Sequence, residues 1–260
     1  MKPLAAMANA GRLRGLLFDI DDTLTSEGRL TAEAYGALER LHAAGRRTIA
    51  VTGRPAGWCD HIARMWPVDA VVGENGAFYF RYEDGRLRKR YHDAEDVRAA
   101  KRARLGAIAE RILAAVPGTA LASDQHYREA DLAIDYCEDV ARLPLEAAER
   151  IAGLMREAGL TAKISSIHVN GWFGGYDKLA MTRTLFAEVF DTGLEAARAE
   201  YAFAGDSPND APMFAFFDQS VGMANVRRFT GHLAAEPKYV TTGEAGAGFA
   251  ELARHLLGMS

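Results

Sequence analysis

At 260 residues the chain is long enough for one large domain or two modest ones with buried cores, which excludes a disulfide miniprotein and a modular giant. Hydrophobic residues at 49% and charged residues at 25% are ordinary globular proportions that leave little room for disorder. A formal net charge of -4 offers no global field to attract nucleic acid or an acidic membrane, and two cysteines, Cys59 and Cys137, without CxxC spacing suit a reducing cytoplasm better than a disulfide framework.

The opening Met1 to Ala10 is apolar only briefly before Asn9, Gly11, Arg12 and Arg14 interrupt it, and no run approaches the ~18 apolar residues of a membrane helix. Secretion and membrane spanning are therefore not expected. Gly15-Leu16-Leu17-Phe18 is a continuous apolar run ending at Asp19, the pattern of a parallel strand covered on both faces. Thr31 is placed to cap a helix with Leu38 and Leu41 on one face, Gly45 ends it, and Thr48 to Val51 reads as the next strand. Pro55 opens a helix with Trp58, Ile62 and Trp66 on one side, and Val68 to Val72 supplies a third strand. After Asn75-Gly76 the rhythm changes to a hairpin, Ala77 to Tyr82 and Arg86 to Tyr91 about Asp84-Gly85, so a boundary is expected at 82/83.

A helix from Ala94 to Val116, carrying Leu105, Ile108 and Ile112, precedes strands at Thr119 to Ser123 and Leu132 to Tyr136. The unit recurs as a helix from Leu145 to Ala158 with Ile151 and Met155, then strands Thr161 to Ser165 and Ile167 to Phe173. Past Gly174-Gly175 the βα alternation returns: a helix with Met181, Leu185 and Val189, a strand Tyr201 to Ala204, a helix around Met213 to Phe217, and strands Ser220 to Met223 and Lys238 to Val240. The expected fold class is α/β: a three-layer, Rossmann-like core with a parallel sheet (residues 1–82 and 175–260), split by an α+β insert of αββαββ pattern (83–174).

Four polar features fall at or beside the carboxyl ends of the inferred core strands, where an open α/β sheet places ligands. They are Asp19-Ile20-Asp21-Asp22-Thr23-Leu24, Thr52-Gly53-Arg54, Lys178 at a helix start, and Gly205-Asp206-Ser207-Pro208-Asn209-Asp210. Each alone also reads as ordinary capping, turn or surface chemistry. Carboxylates at Asp19, Asp21, Asp206 and Asp210 brought together would repel by about 4 kcal/mol per pair at ~4 Å and an effective dielectric near 20, so a cation belongs among them. An all-oxygen donor set favours Mg2+, and zinc is disfavoured because no HExxH or paired Cys is present. In an extended strand successive side chains alternate, so Asp19 and Asp21 are expected to face the same way about 7 Å apart along the chain.

Taken in this order, the four features resemble the haloacid dehalogenase-like phosphohydrolase superfamily. Gly73-Glu74-Asn75-Gly76-Ala77, Val221-Gly222-Met223-Ala224-Asn225 and Tyr239-Val240-Thr241 resemble its subfamily IIB, which carries a large cap after the third strand and includes sugar-phosphate phosphatases and phosphomannomutases. The resemblance implies Asp19 as the nucleophile that becomes an aspartyl-phosphate and Asp21 as acid, then base. It implies Thr52 and the Gly53 amide as holders of phosphoryl oxygens and Lys178 as the cation beside the nucleophile. Mg2+ would be held by Asp19, Asp206, Asp210 and Asp21, the last through its backbone carbonyl. One departure is Asp22, where the family commonly has Gly.

Substrate contacts are expected from Gly53, Arg54, Asn75 and Asn209 on the core, and from Arg128, His168 and Asn170 on the insert; Arg128 stands out because a guanidinium grips an anion in two places. Arg86, Arg88, Lys89, Arg90, Arg98, Lys101, Arg102 and Arg104 form a basic cluster read as a solvated face. The expected function is a Mg2+-dependent, cytoplasmic phosphomonoesterase acting on a small, sugar-like phosphorylated metabolite, without nucleic-acid or membrane partners. A phosphomutase with the same nucleophile and a regulatory protein that accepts phosphate without turnover are the alternatives.

Overall fold

The structure, a computed structural model, describes residues 1–259. A short β1 (Lys2–Pro3) precedes β2 (Gly15–Phe18), which is buried throughout, as its unbroken apolar run requires. Helix α1 (Ala32–Ala43) is capped by the Thr31 hydroxyl, which accepts from the Ala34 amide at 3.2 Å. Then come β3 (Arg47–Val51), α2 (Ala56–Met65), β4 (Ala70–Gly73) and the hairpin β5 (Phe78–Glu83) and β6 (Arg86–Tyr91). The insert contains α3 (Glu95–Ala115), β7 (Ala120–Leu121), β8 (Asp131–Asp135), α4 (Leu145–Glu157), β9 (Thr161–Ile164) and β10 (His168–Trp172). The chain closes with α5 (Lys178–Val189), α6 (Leu194–Ala197), β11 (Tyr201–Gly205), α7 (Ala211–Phe216), β12 (Gln219–Gly222), β13 (Tyr239–Val240) and α8 (Ala245–Leu257).

The large sheet has the order β1-β13-β12-β11-β2-β3-β4-β5-β6, parallel from β1 to β4 and antiparallel beyond. On one face it packs Leu38, Leu41, Ile62 and Phe249 of α1, α2 and α8; on the other, Met181, Leu185, Phe186 and Phe214 of α5 and α7. This is the three-layer α/β core expected. The insert is a separate antiparallel sheet, β7-β8-β10-β9, with α3 and α4 packed on it through Leu105, Ile112, Ile151 and Met155.

Three local expectations are corrected. The hairpin extends the core sheet, with Val71 opposite Phe80 and Phe78 opposite Tyr91, so a boundary at 82/83 cuts through β5. Trp58 is 40% exposed because its ring lies 4.3 Å from the Arg54 guanidinium rather than in the core. Helix α8, whose Gly246 and Gly248 look like breakers, was not foreseen; those glycines let it approach Leu24 and Gly243, where a Cβ would come within 2.8 Å or less of a backbone oxygen.

The turn that sends the chain from β4 into the hairpin also helps position the site. Glu74, Asn75 and Gly76 all have positive φ, and a Cβ on Gly76 would meet the Asp177 carbonyl oxygen at 2.1 Å. Only glycine lets this turn lie against the segment that delivers Lys178.

Candidate active site

The polar loops meet at the carboxyl ends of β2, β3 and β11 and the start of α5. Strand β2 stops at Phe18, and the chain then coils so that the amides of Thr23, Leu24 and Thr25 all return to the Ile20 carbonyl, at 3.3, 2.9 and 2.9 Å. The extended spacing of Asp19 and Asp21 is therefore not realised. Asp22 has φ 52°, the left-handed conformation in which glycine is strain-free and Asp is tolerated, which accounts for either residue at that position.

Lys178 is 1% exposed, and its ammonium donates to Asp19 Oδ1 and Asp210 Oδ1, both at 2.7 Å. Its helix is fixed by Asp177, whose carboxylate accepts from the Ala180 amide at 2.7 Å. Asp210 is held by the amides of Asp206 and Ser207, at 3.0 and 3.3 Å to Oδ2, and this fit needs Gly205, since a Cβ there would lie 2.4 Å from that oxygen. Asp19, Asp206 and Asp210 each bring a carboxylate oxygen within 4.8 Å of the others. Asp206 Oδ2 accepts from Asn225 at 3.1 Å, whereas Oδ1 is buried with no hydrogen-bond partner.

One ammonium cannot neutralise three buried carboxylates. Burial, opposed by Lys178 and reinforced by Asp210 and Asp21, pushes the Asp19 carboxyl up to about 8. Burial, then Asp19 and Asp210, likewise raise Asp206 well above the carboxylate range. The orphaned Asp206 oxygen and an all-oxygen cluster deficient in positive charge fit a hard divalent cation such as Mg2+.

Asp21 stands apart from this cluster. Its carboxylate is clamped by Arg54, with Nε at 3.0 and 2.9 Å from the two oxygens and Nη2 at 2.7 Å. The same guanidinium reaches across to the insert, to Glu138 Oε1 at 2.5 Å and Asp124 Oδ2 at 3.3 Å. Burial works against the Arg54 charge, but Asp21 and Glu138 outweigh it and hold the group above its ordinary value. Burial also works against the Glu138 carboxylate; His168, 2.8 Å away though poorly aligned for a hydrogen bond, and Arg54 nevertheless hold it at about 2.

Thr52 is fully buried, and its hydroxyl accepts from the Arg54 amide at 3.0 Å. Asn75 accepts from Asn209 at 3.1 Å and keeps a buried Nδ2 with no partner. A Cβ on Gly53 would come 3.1 Å from that nitrogen and 3.6 Å from Asn170 Oδ1, so the Gly53 backbone, Asn75 and Asn170 converge. Asp19, Asp21, Gly53, Arg54, His168, Asn170 and Asn209 line one small space of about 10 Å³ between core and insert. Arg128 does not: its guanidinium is occupied by Asp124 at 3.0 Å, Asp131 at 3.0 Å and the Gly53 carbonyl at 2.8 Å, bracing insert to core instead of facing that space.

Sequence reasoning gave no individual role to Glu74, Asp131 or Glu138. Glu74 is fully buried and accepts from the amides of Ala56, Glu129, Ala130 and Asp131 at 3.0, 2.8, 2.6 and 3.2 Å, tying α2 to the start of β8. A charged residue inside the GENGA turn, between strand and hairpin, was the available signal for Glu74.

The model of the haloacid dehalogenase-like hydrolase family matches residues 16–105, the stretch that runs from β2 into α3. Among solved structures, the chain is similar to the sucrose-phosphatase of Synechocystis sp. PCC6803 in complex with sucrose and phosphate, at 16% identity over 94% of this chain and 98% of that one, with a TM-score of 0.63. It is also similar to the subclass IIB sugar phosphatase BT4131 (18% identity, 93% and 98% covered, TM-score 0.61) and to BT1666 of Bacteroides thetaiotaomicron (22%, 96% and 97%, TM-score 0.60). Comparison with curated proteins gives no match. Among the described residues no helix is long and apolar enough to cross a membrane.

Proposed function

We propose that this chain is a Mg2+-dependent phosphomonoesterase that transfers the phosphoryl group of a small sugar-like phosphate to Asp19 and then to water. The observation that carries the reading is the buried set of Lys178 between Asp19 and Asp210, 2.7 Å from each, with Asp206 alongside. Asp19, Asp206 and Asp210 would hold the cation, with the Asp21 carbonyl as a further donor. When bound, it would offset the charge of the carboxylates and of the phosphoryl oxygens.

In the first step an Asp19 carboxylate oxygen bonds to phosphorus while the ester P–O bond breaks, and the departing alkoxide takes a proton from Asp21. In the second, water gives a proton to Asp21, restoring its acid form, as the water oxygen bonds to phosphorus and the bond from the Asp19 oxygen to phosphorus breaks, releasing phosphate. Lys178 orients Asp19 and neutralises charge as the bonds change, while Thr52, the Gly53 amide and the unpartnered Asn75 Nδ2 are the donors for phosphoryl oxygens. Asp21 must leave the Arg54 clamp to exchange protons, and a phosphate ester cannot enter a space of about 10 Å³, so the insert acts as a cap that lifts before binding.

The leaving group would extend into an adjoining cleft of about 500 Å³, bounded by Asp22, Thr25, Ser26, Glu138, Asn225 and Glu244 among others. Its lining has no aromatic ring and more carboxylates than guanidiniums, and Arg228 is already paired with Glu244 at 2.6 Å. This chemistry supports a neutral, hydroxyl-rich leaving group over a nucleobase or a second phosphate. The unpaired cysteines agree with a cytoplasmic setting.

The test is a phosphate-release screen over hexose monophosphates, hexose bisphosphates, nucleotides and pyridoxal phosphate, with Mg2+ and with chelator. Metal-dependent release from hexose monophosphates, lost in a folded Asp19→Asn variant, is expected. Release that persists in Asp19→Asn overturns the nucleophile, and conversion of a hexose 1-phosphate to its 6-phosphate without free phosphate makes the chain a mutase.

A further inference from the structure

The strands that carry the catalytic loops at one end begin in register at the other: Tyr201, Gly15 and Arg47 lie side by side at the starts of β11, β2 and β3. Gly15 leaves a gap in that row, since a Cβ there would lie 2.8 Å from both the Arg47 Cβ and the Tyr201 ring. Arg47 and Tyr201 fold over it, with Arg47 Nη1 donating to the Tyr201 hydroxyl at 3.1 Å and the guanidinium 3.9 Å from the Phe190 ring. Above this floor is a cavity of about 400 Å³, walled by Arg14, His42, Gly45, Arg46 and Asp69. A cavity of that size accommodates a small metabolite.

The charges there do not balance. The Arg46 guanidinium donates to the Leu13 and Gly11 carbonyls, and its Nε is buried with no partner among the described residues. Arg47 has the Tyr201 hydroxyl and, among the described residues, no carboxylate partner. Arg14 is paired with Glu200 at 2.9 Å on an exposed edge, and the one carboxylate in the wall, Asp69, accepts from the Thr48 amide at 2.8 Å and lies 3.9 Å from His42. Two guanidiniums without carboxylate partners, a third with an exposed partner and a phenol thus surround one cavity.

We propose that this cavity is a second ligand site, selective for a phosphate dianion, free or on a small organic stem, and separate from the catalytic centre. Arg46 and Arg47 supply the fork-like donors that match phosphate oxygens, and Arg14 closes the open side. The four-residue span of β2, about 13 Å at ~3.3 Å per residue, separates it from Asp19. An occupant would bridge the starts of the three strands whose far ends hold Asp19, Thr52 and Asp206.

The experiment follows backbone amide resonances of the full chain during titration with inorganic phosphate and, separately, with methylphosphonate. Saturable shifts at Gly45, Arg46 and Tyr201 are expected in addition to those at Gly53 and Ser207. Tighter binding of inorganic phosphate identifies free phosphate as the ligand, and tighter binding of methylphosphonate an organic phosphate. The double variant Arg46→Gln/Arg47→Gln should weaken binding at this end by about tenfold or more while leaving the Gly53 and Ser207 shifts in place. Should that variant misfold, Arg14→Gln, altered at an exposed side chain, should weaken the same shifts severalfold. Amides at Gly45 and Tyr201 that stay still, or that titrate identically in the folded variants, would overturn the site.

Discussion

Replacing Asp206 by Asn should make the metal-free protein more stable while removing its response to Mg2+. At the 4.8 Å that bounds the three carboxylate oxygens, each ionised pair repels by about 3.5 kcal/mol at an effective dielectric near 20. Asp206 takes part in two such pairs, and Lys178 donates to Asp19 and Asp210, not to it. Burial first and then this repulsion raise its carboxyl, since taking up a proton relieves both. A raised carboxyl makes the folded state hold a proton that the unfolded chain has released, so stability falls as pH rises above the unfolded value near 4. Asn keeps an oxygen to accept from Asn225 and removes that slope. The expected gain is about 1–3 kcal/mol at pH 8, a rise in melting temperature of about 2–10 °C, and much less at pH 5. Thermal unfolding of wild type and variant at both pH values, in chelator and in excess Mg2+, decides it. A variant less stable than wild type in chelator at pH 8, or one that Mg2+ stabilises equally, would refute the reasoning.

Gly205→Ala should displace Asp210, because the new methyl would sit 2.4 Å from its Oδ2; loss of phosphate release together with a clear drop in melting temperature is the expected pair of results. Glu74→Gln replaces one of two acceptor oxygens with a donor that faces amides at 2.6 and 3.2 Å, or reverses the amide at the expense of the other pair, and urea denaturation should show a loss of about 1–3 kcal/mol. Glu138 is held at about 2, below the unfolded 4.5, so its contribution is fully present above pH 4.5 and disappears as pH falls through about 2. The stability gap between wild type and Glu138→Gln, measured by urea titration, should accordingly close between those values; a gap independent of pH would count against the Arg54–Glu138 tie.

The parallel strands were legible because a strand covered on both faces cannot carry polar groups, so Gly15–Phe18 and Tyr201–Gly205 read as unbroken apolar runs. The helix starting at Lys178 and the cap's αββ repeat followed from periodicity. The hairpin's sheet membership did not, because pairing with β4 is decided by the left-handed turn at Glu74–Gly76 and not by the pattern of β5 and β6 themselves. Of the site, the carboxylates, Thr52 and Lys178 fell at readable positions at strand and helix ends. The Arg54 clamp was hidden: its partners Asp21, Asp124 and Glu138 lie 33, 70 and 84 residues away and share no spacing. Arg128 was visible as an unusual charge, but its saturation by Asp124 and Asp131 is a property of packing.

The last strand of the large sheet, β6, has no neighbour beyond it, so one side of its backbone has amides and carbonyls available to any extended chain. Its sequence sets Arg86 and Arg88 along that border, while Lys89 and Arg90 are paired with Asp60 and Glu188, each at 3.1 Å. Two molecules approaching border to border would press like charge on like before a single intermolecular hydrogen bond formed. Those two guanidiniums set a charge cost against adding a tenth strand to the nine-stranded sheet, and no ligand is needed for it.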